Sequence, residues 1–196
     1  MYQYALPILN ERAGTGNPFF CVLLSISNHP PYVIPPYFHP HSDVLEEQIV
    51  EYADWSIRQF MQAAEKQPWF DNTIFVFLGD HGKMVGTPEC EMPQSYNHIP
   101  LMIYGKDIKP GVYDGFGGQV DVSPTLLGLL NISYLQNNFG VNLLEEERPC
   151  MFFTADNLIG ARDSVNMFIY SPDSQQEFKY KLEEGKLHAA TGTDEE

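Results

Sequence analysis

The sequence predicts an α/β fold, a mostly parallel, mixed sheet flanked by helices. Phe19–Ser27 and Thr73–Leu78 are apolar runs without alternation, the pattern of strands buried on both faces. Between them lies a stretch whose apolar residues recur at helical spacing. A strand–helix–strand order of this length belongs to a sheet covered by helices.

Each element has its own signal. The run Phe19–Ser27 ends in Asn28-His29-Pro30-Pro31, and five prolines between positions 30 and 40 exclude a regular element there. Ser42-Asp43 then opens a helix, with Asp43 and Glu46 spaced as a capping box. Leu45, Ile49, Ala53, Ile57, Phe60 and Ala64 form its apolar stripe, and Pro68 closes it. The second strand, Thr73–Leu78, ends in Gly79-Asp80-His81-Gly82. Ile99–Tyr104 is a third strand-like run, and Ser123-Pro124-Thr125 reads as a helix start. Cys150–Thr154, Val165–Tyr170 and Glu177–Leu182 read as further strands, and Thr191–Glu196 as a frayed acidic tail.

Composition narrows the function classes. With 43% hydrophobic and 19% charged residues the chain is globular. Eleven basic against 26 acidic residues give a formal charge of −15, which argues against a nucleic-acid partner and against simple adhesion to anionic lipid. An anionic substrate then needs local help from a metal ion or backbone amides. Cys21, Cys90 and Cys150 lie far apart, so neither a zinc knuckle nor a disulfide framework is indicated, and Cys21 reads as a core residue. Met1-Tyr2-Gln3-Tyr4 carries no signal-peptide pattern, and no segment reaches the roughly 18 apolar residues of a membrane span.

Reactive side chains of open α/β sheets gather where strands end. Ser27-Asn28-His29 and Asp80-His81-Gly82 both occupy such ends. Asp80 and His81 are good ligands for a divalent ion, and Gly79 and Gly82 supply the backbone freedom for both to reach one. Spacing alone fits an Asp-His turn held by local hydrogen bonds equally well. His29 reads as a ligand, an anion donor, a general acid or a hydrogen-bonded loop histidine, and His98 offers the same choice. His39 and His41 read as solvated, and Lys83 either meets a substrate oxyanion or is a surface lysine. Trp55 and Trp69 fit helix packing and loop anchoring.

Read together, these segments resemble a family. Asn72–Gly82 looks like the D-H-G metal motif of the sulfatase-like branch of the alkaline phosphatase superfamily. Ser27–Tyr32, Tyr52–Ile57 and His98–Ile103 are most similar to lipoteichoic acid synthase-like phosphoglycerol transferases, and phosphoethanolamine transferases share much of the pattern. Val120–Thr125 resembles the family's helix entry, a structural element. The resemblance implies an alkaline-phosphatase-like fold in which Asp80 and His81 bind a divalent ion. Manganese or zinc comes first, with calcium and magnesium admissible. It also implies that His29, with Asn28, faces the substrate phosphate, and that His98 is a second substrate or metal contact, His29 and His98 being the catalytic candidates. The substrate is then a small-molecule or lipid-headgroup ester, handled outside the cytoplasm at the cell surface or in the periplasm. Sulfuric ester hydrolysis and a non-catalytic remnant or binding module are the alternatives.

Three expectations follow. Residues 1–190 form the C-terminal part of a sulfatase-like catalytic domain, truncated at the N-terminus and expected to lack the upstream segment that bears the family's threonine or formylglycine nucleophile. The chain alone then turns over no ester at an enzyme-like rate, and its truncated edge favours self-association. Finally, His98 precedes its strand whereas Asp80 and His29 follow theirs. His98 can share their site only if Ile99–Tyr104 runs antiparallel to the other two strands.

Overall fold

The computed structural model describes residues 1–190, so the acidic tail expected over 191–196 lies outside the described residues. The chain forms two compact units. The first comprises Met1–Val76 with Ile103–Ile108, and the second Phe77–Met102 with the described residues 109–190.

The first unit is built on two helices, α1 (Tyr2–Gly14) and α2 (Leu45–Ala64). Leu9 of α1, Phe60 and Ala64 of α2, and Trp69 form its core. Trp69 satisfies its indole N–H by donating to Asn10 Oδ1 at 2.7 Å. The predicted stripe of α2 is the buried one, with Ile49, Phe60 and Ala64 inside. Its start differs from the expected capping box. Val44 is the cap residue and makes no side-chain cap bond. Ser42 Oγ instead accepts the Val44 N–H at 3.0 Å and donates to Glu47 Oε2 at 2.5 Å, a local turn that competes with the box. The proline-rich loop lies against α2. Tyr37 and Phe38 pack on Tyr52 and Trp55, and Glu51 accepts the backbone N–H groups of His41 at 2.7 Å and Ser42 at 3.0 Å.

Phe19–Ser27 is not a strand. Phe19 and Leu23 pack on the helical core, while Phe20, Val22, Leu24 and Ile26 are exposed, at 72–86%. Cys21 is likewise exposed rather than in the core. A strand needs a ladder partner for its backbone groups, and the assigned sheets contain none for this run.

Two short strands, β1 (Phe75–Leu78) and β2 (Leu101–Tyr104), pair with each other. The Gly79 N–H just after β1 donates to Pro100 C=O just before β2, at 3.3 Å. At the other end, a Cβ on Gly105 would stand 3.5 Å from Thr73 O. The end of each strand therefore lies beside the start of the other, and the pair is antiparallel. Between them comes one turn of helix, α3 (Gln94–Asn97).

The second unit carries α4 (Gln119–Leu129) and an antiparallel meander. Its strands are β3 (Met151–Ala155), β4 (Leu158–Arg162), β5 (Asn166–Ser171), β6 (Gln176–Glu183) and β7 (Lys186–Ala189). Every strand pairs with its neighbours in sequence. The two-residue turn between β3 and β4, Asp156-Asn157, has φ of 49° and 63°, the hairpin geometry that Asp and Asn tolerate. Met167 and Ile169 of β5 pack with Cys90 and Met92 to form the unit's core. The α/β class stands, but the mostly parallel sheet is corrected. Among the described residues the pairings are antiparallel, because the run expected to supply a parallel neighbour pairs with nothing.

The start of α4 is also corrected. It begins at Gln119 rather than at Ser123, and Pro124 lies inside it. Asp121 sets the earlier start, since its Oδ2 accepts the Gly118 N–H at 2.9 Å. A proline in the second turn leaves the Val120 carbonyl without its helical donor. Gly140 passes so close to that carbonyl that a Cβ would lie 2.1 Å away.

Candidate metal centre

The D-H-G turn follows β1 directly. Asp80 Oδ1 accepts the His81 N–H at 2.9 Å. His81 Nδ1 lies 2.7 Å from Gly82 O. A carbonyl only accepts, so Nδ1 carries the hydrogen, and in the neutral ring the lone pair is on Nε2. That nitrogen faces Asp80 Oδ2 at 4.0 Å, and both side chains are open to solvent. Two ligands about 2.1 Å from a tetrahedral ion stand about 3.4 Å apart, so a small rotation of Asp80 brings the pair onto one ion. A carboxylate beside an imidazole oriented through its other nitrogen suits zinc or manganese. Among the described residues no group of three or more His, Cys, Asp or Glu is arranged to hold a metal, which leaves Asp80 and His81 as a candidate pair of donors.

The turn is gripped from two sides, both within the second unit. On one side is α3. The Gly82 N–H donates to Tyr96 O at 2.8 Å, and the Tyr96 ring lies 5.0 Å from that of His81. A Cβ on Gly82 would come within 2.1 Å of Ser95 O, so the approach requires glycine. Met92, just ahead of α3, is sunk in the meander core. Glu91 accepts a 2.5 Å hydrogen bond from Tyr180 of β6, and burial, then this carboxylate, push the phenol well above its usual pKa.

On the other side is α4. Gln119 Nε2 donates to Gly79 O at 3.1 Å and to Asp80 O at 2.8 Å. The first turn of α4 is fixed by Asp121, which is fully buried. Asp121 receives Arg148 Nε at 2.8 and 2.9 Å, Arg148 Nη2 at 2.6 Å and the Val141 N–H at 2.8 Å. Burial pushes this carboxyl up, and the hydrogen bonds from Arg148, Val141 and Gly118 outweigh it, leaving the pKa below its usual value. Asp121 thus has the structural role expected of its segment.

The remaining candidates are distributed as follows. His98 is the cap residue after α3 and precedes β2. The antiparallel pairing sets it at the same sheet edge as Asp80, as sharing a site requires. Asn28 and His29 belong to the first unit and lie exposed in the turn after residues 19–27. His29 Nδ1 is 3.0 Å from Pro30 O, so Nδ1 donates, and in the neutral ring the lone pair is on Nε2. Gln119 and Tyr96 are the residues that sequence reasoning missed. Neither type signals chemistry, and Gln119 stands 39 positions from Asp80.

Comparison with solved structures shows the fold. A protein of the alkaline phosphatase superfamily from Vibrio parahaemolyticus superposes with a TM-score of 0.85 at 23% identity, over 98% of this chain and 49% of that one. A putative sulfatase from Bacteroides thetaiotaomicron VPI-5482 gives 0.57 at 16% identity, over 70% and 35%. The chain has the alkaline phosphatase superfamily fold. The Sulfatase family model matches residues 1–132, and the chain belongs to the sulfatase family. Lipoteichoic acid synthase 1 of Bacillus subtilis (strain 168) is 25% identical over 202 residues, covering 87% of this chain and 30% of that protein. Choline-sulfatase of Rhizobium meliloti (strain 1021) is 29% identical over 121 residues, covering 55% and 22%. The chain thus spans less than a third of either relative.

Proposed function

We propose that this chain contributes the metal half-site of a divalent-metal-dependent phosphoryl-ester transferase or hydrolase, acting on a small-molecule or lipid-headgroup phosphate ester. The observation that carries the reading is the Asp80–His81 pair: an open carboxylate and an imidazole lone pair 4.0 Å apart at a strand end, with His81 oriented by Gly82 O. Manganese or zinc suits these donors, and calcium or magnesium is the weaker fit to an imidazole. When bound, such an ion neutralises and polarises a phosphoryl oxygen.

The chain's own residues then have defined tasks. Asp80 would offset the charge of a bound ion, and His81 Nε2 would ligate it, while Nδ1–H holds the ring to Gly82. His98, at the same sheet edge, offers a hydrogen-bond donor or proton to a phosphate oxygen. By family resemblance His29, with Asn28, is a candidate for the same kind of contact to a phosphate oxygen. The similarity to lipoteichoic acid synthases supports phosphoglycerol or phosphoethanolamine transfer, and with it an extracytoplasmic setting. Among the described residues no helix is long and apolar enough to cross a membrane. A second reading, sulfate ester hydrolysis, draws on the choline-sulfatase similarity.

The test is calorimetric titration of the chain with manganese and with zinc. Wild type should bind weakly and saturably, and Asp80→Ala and His81→Ala should each abolish that binding. Equal affinity in all three would overturn the half-site. Added phosphate should then shift the ring signals of His29 and His98 in the metal-loaded chain more than sulfate does; the reverse order favours the sulfatase reading.

A further inference from the structure

We infer that Gln119 is a positioning residue for the Asp80–His81 pair, holding the peptide plane that joins the two ligands; the inference rests on the half-site reading above. The carbonyl of Asp80 and the N–H of His81 belong to one planar peptide unit. Gln119 Nε2 fixes its oxygen side at 2.8 Å, and Asp80 Oδ1 fixes its N–H side at 2.9 Å. The second hydrogen of the same amide nitrogen meets Gly79 O at 3.1 Å, so two consecutive carbonyls are tied to one group. Both are acceptors, which dictates that the NH₂ end of Gln119 faces them.

The tie matters because the Asp80–His81 peptide lies past the Gly79 N–H bond to Pro100 O that ends the β1–β2 pairing. The Asp80 side chain is 80% exposed, and the flanking glycines allow backbone rotations that other residues resist. Rotation of the Asp80–His81 peptide would break the bond to Oδ1 and swing the carboxylate away from His81 Nε2. The α3 contacts hold Gly82 and the His81 ring, leaving the Asp80 end to Gln119. Gln119 is itself a firm anchor, since it opens α4 next to Gly118, whose N–H is bound by the buried Asp121. The run of bonds Arg148–Asp121–Gly118, then Gln119, then Gly79 and Asp80, carries the rigidity of a buried ion pair to an exposed ligand pair.

The substitution Gln119→Glu separates positioning from charge. It keeps the size, removes both N–H donors and sets a carboxylate against two carbonyl oxygens. If Gln119 acted only through the local field, the added negative charge would tighten cation binding. If it acts by positioning, binding weakens despite that charge. Loss of an outer partner of a metal ligand typically costs about 10–100-fold in affinity.

The experiment is a zinc titration of the 196-residue chain followed by the His81 ring resonances. Wild type, Gln119→Glu, Gln119→Ala and Asp80→Ala are compared, with hydrogen exchange of the His81 amide measured before metal is added. The expected result is at least about tenfold weaker binding in both Gln119 variants, and faster His81 amide exchange in the metal-free protein. Unchanged thermal melting would set this apart from general destabilisation. Zinc affinity equal to or above wild type in Gln119→Glu, with Asp80→Ala still abolishing binding, would overturn the role of Gln119 alone. Absence of Asp80-dependent binding in wild type would overturn the half-site and the positioning role together. A variant too unstable to titrate is replaced by Gln119→Asn, whose amide is a methylene too short to span both carbonyls; wild-type affinity and amide exchange there would likewise overturn the inference.

Discussion

Residues 19–27 and the strand β5 are both rich in strand-forming apolar side chains, yet they end in opposite states. In β5, Met167 and Ile169 are buried to 2% and 0% exposure, and the backbone is paired on both edges, with β4 and β6. In residues 19–27 the apolar content is higher, but only Phe19 and Leu23 reach a core. β-propensity measures how well a side chain fits a pleated, covered surface, and it confers nothing until a neighbouring strand exists. The meander supplies its own neighbours, each a turn away. Residues 19–27 have no such arrangement, and their apolar side chains remain at the surface.

The most severe way to break the ordered region is through its buried ion pair. Asp121→Ala strands Arg148, and Arg148→Ala strands Asp121. Each should cost about 3–5 kcal/mol, read from urea unfolding followed by far-ultraviolet circular dichroism. The same pair sets a pH dependence. The pKa of Asp121 is lowered in the fold, so its stabilisation is fully present above the unfolded value, about 3.9. It is lost as pH falls through the lower folded value. Wild type should therefore lose stability below about pH 4 more steeply than Asp121→Asn; parallel acid limbs would contradict the assignment.

Next in size is Ile169→Ala at the centre of the meander, which should cost about 2–5 kcal/mol. Gly82→Ala should cost about 1–3 kcal/mol, because its Cβ meets a backbone oxygen that cannot move freely. It should also weaken zinc binding by displacing His81. Last comes Leu24→Ala, at a position 73% exposed, where the change should stay within about 0.5 kcal/mol. A large loss at Leu24 would show that residues 19–27 are covered in solution, and the contrast with β5 would fall.

What the sequence disclosed follows from how local each signal is. The stripe of α2 and the strands β3, β5 and β6 were legible because their periodicity is contained within the segment. Helix α1 was not, since Pro7 interrupts it and only Ala5 and Leu9 are buried. Strand β4 contains Gly160 and β7 alternates Lys and His with Leu and Ala, so neither presents an apolar run. Ser123-Pro124 imitates a helix start, but Asp121 bonds the Gly118 amide and moves the start upstream. The D-H-G turn stood out as a polar cluster ending an apolar strand. Gln119 did not, because its importance lies in two backbone carbonyls brought to it by the fold.

The neighbour-to-neighbour pairing of the meander also has a kinetic consequence. Each of its ladders closes a short loop, so its contact order is low and the search for its native pairing is brief. The β1–β2 ribbon must instead close the whole segment between Leu78 and Leu101, which includes the D-H-G turn, α3 and Met92. Met92 can be buried only after the meander offers a surface to receive it. In pulsed hydrogen exchange during refolding, the amides of β4 and β5 should gain protection before those of β1 and β2. The candidate metal ligands would then be among the last residues to reach their places, assembled on a scaffold already formed downstream of them in the chain.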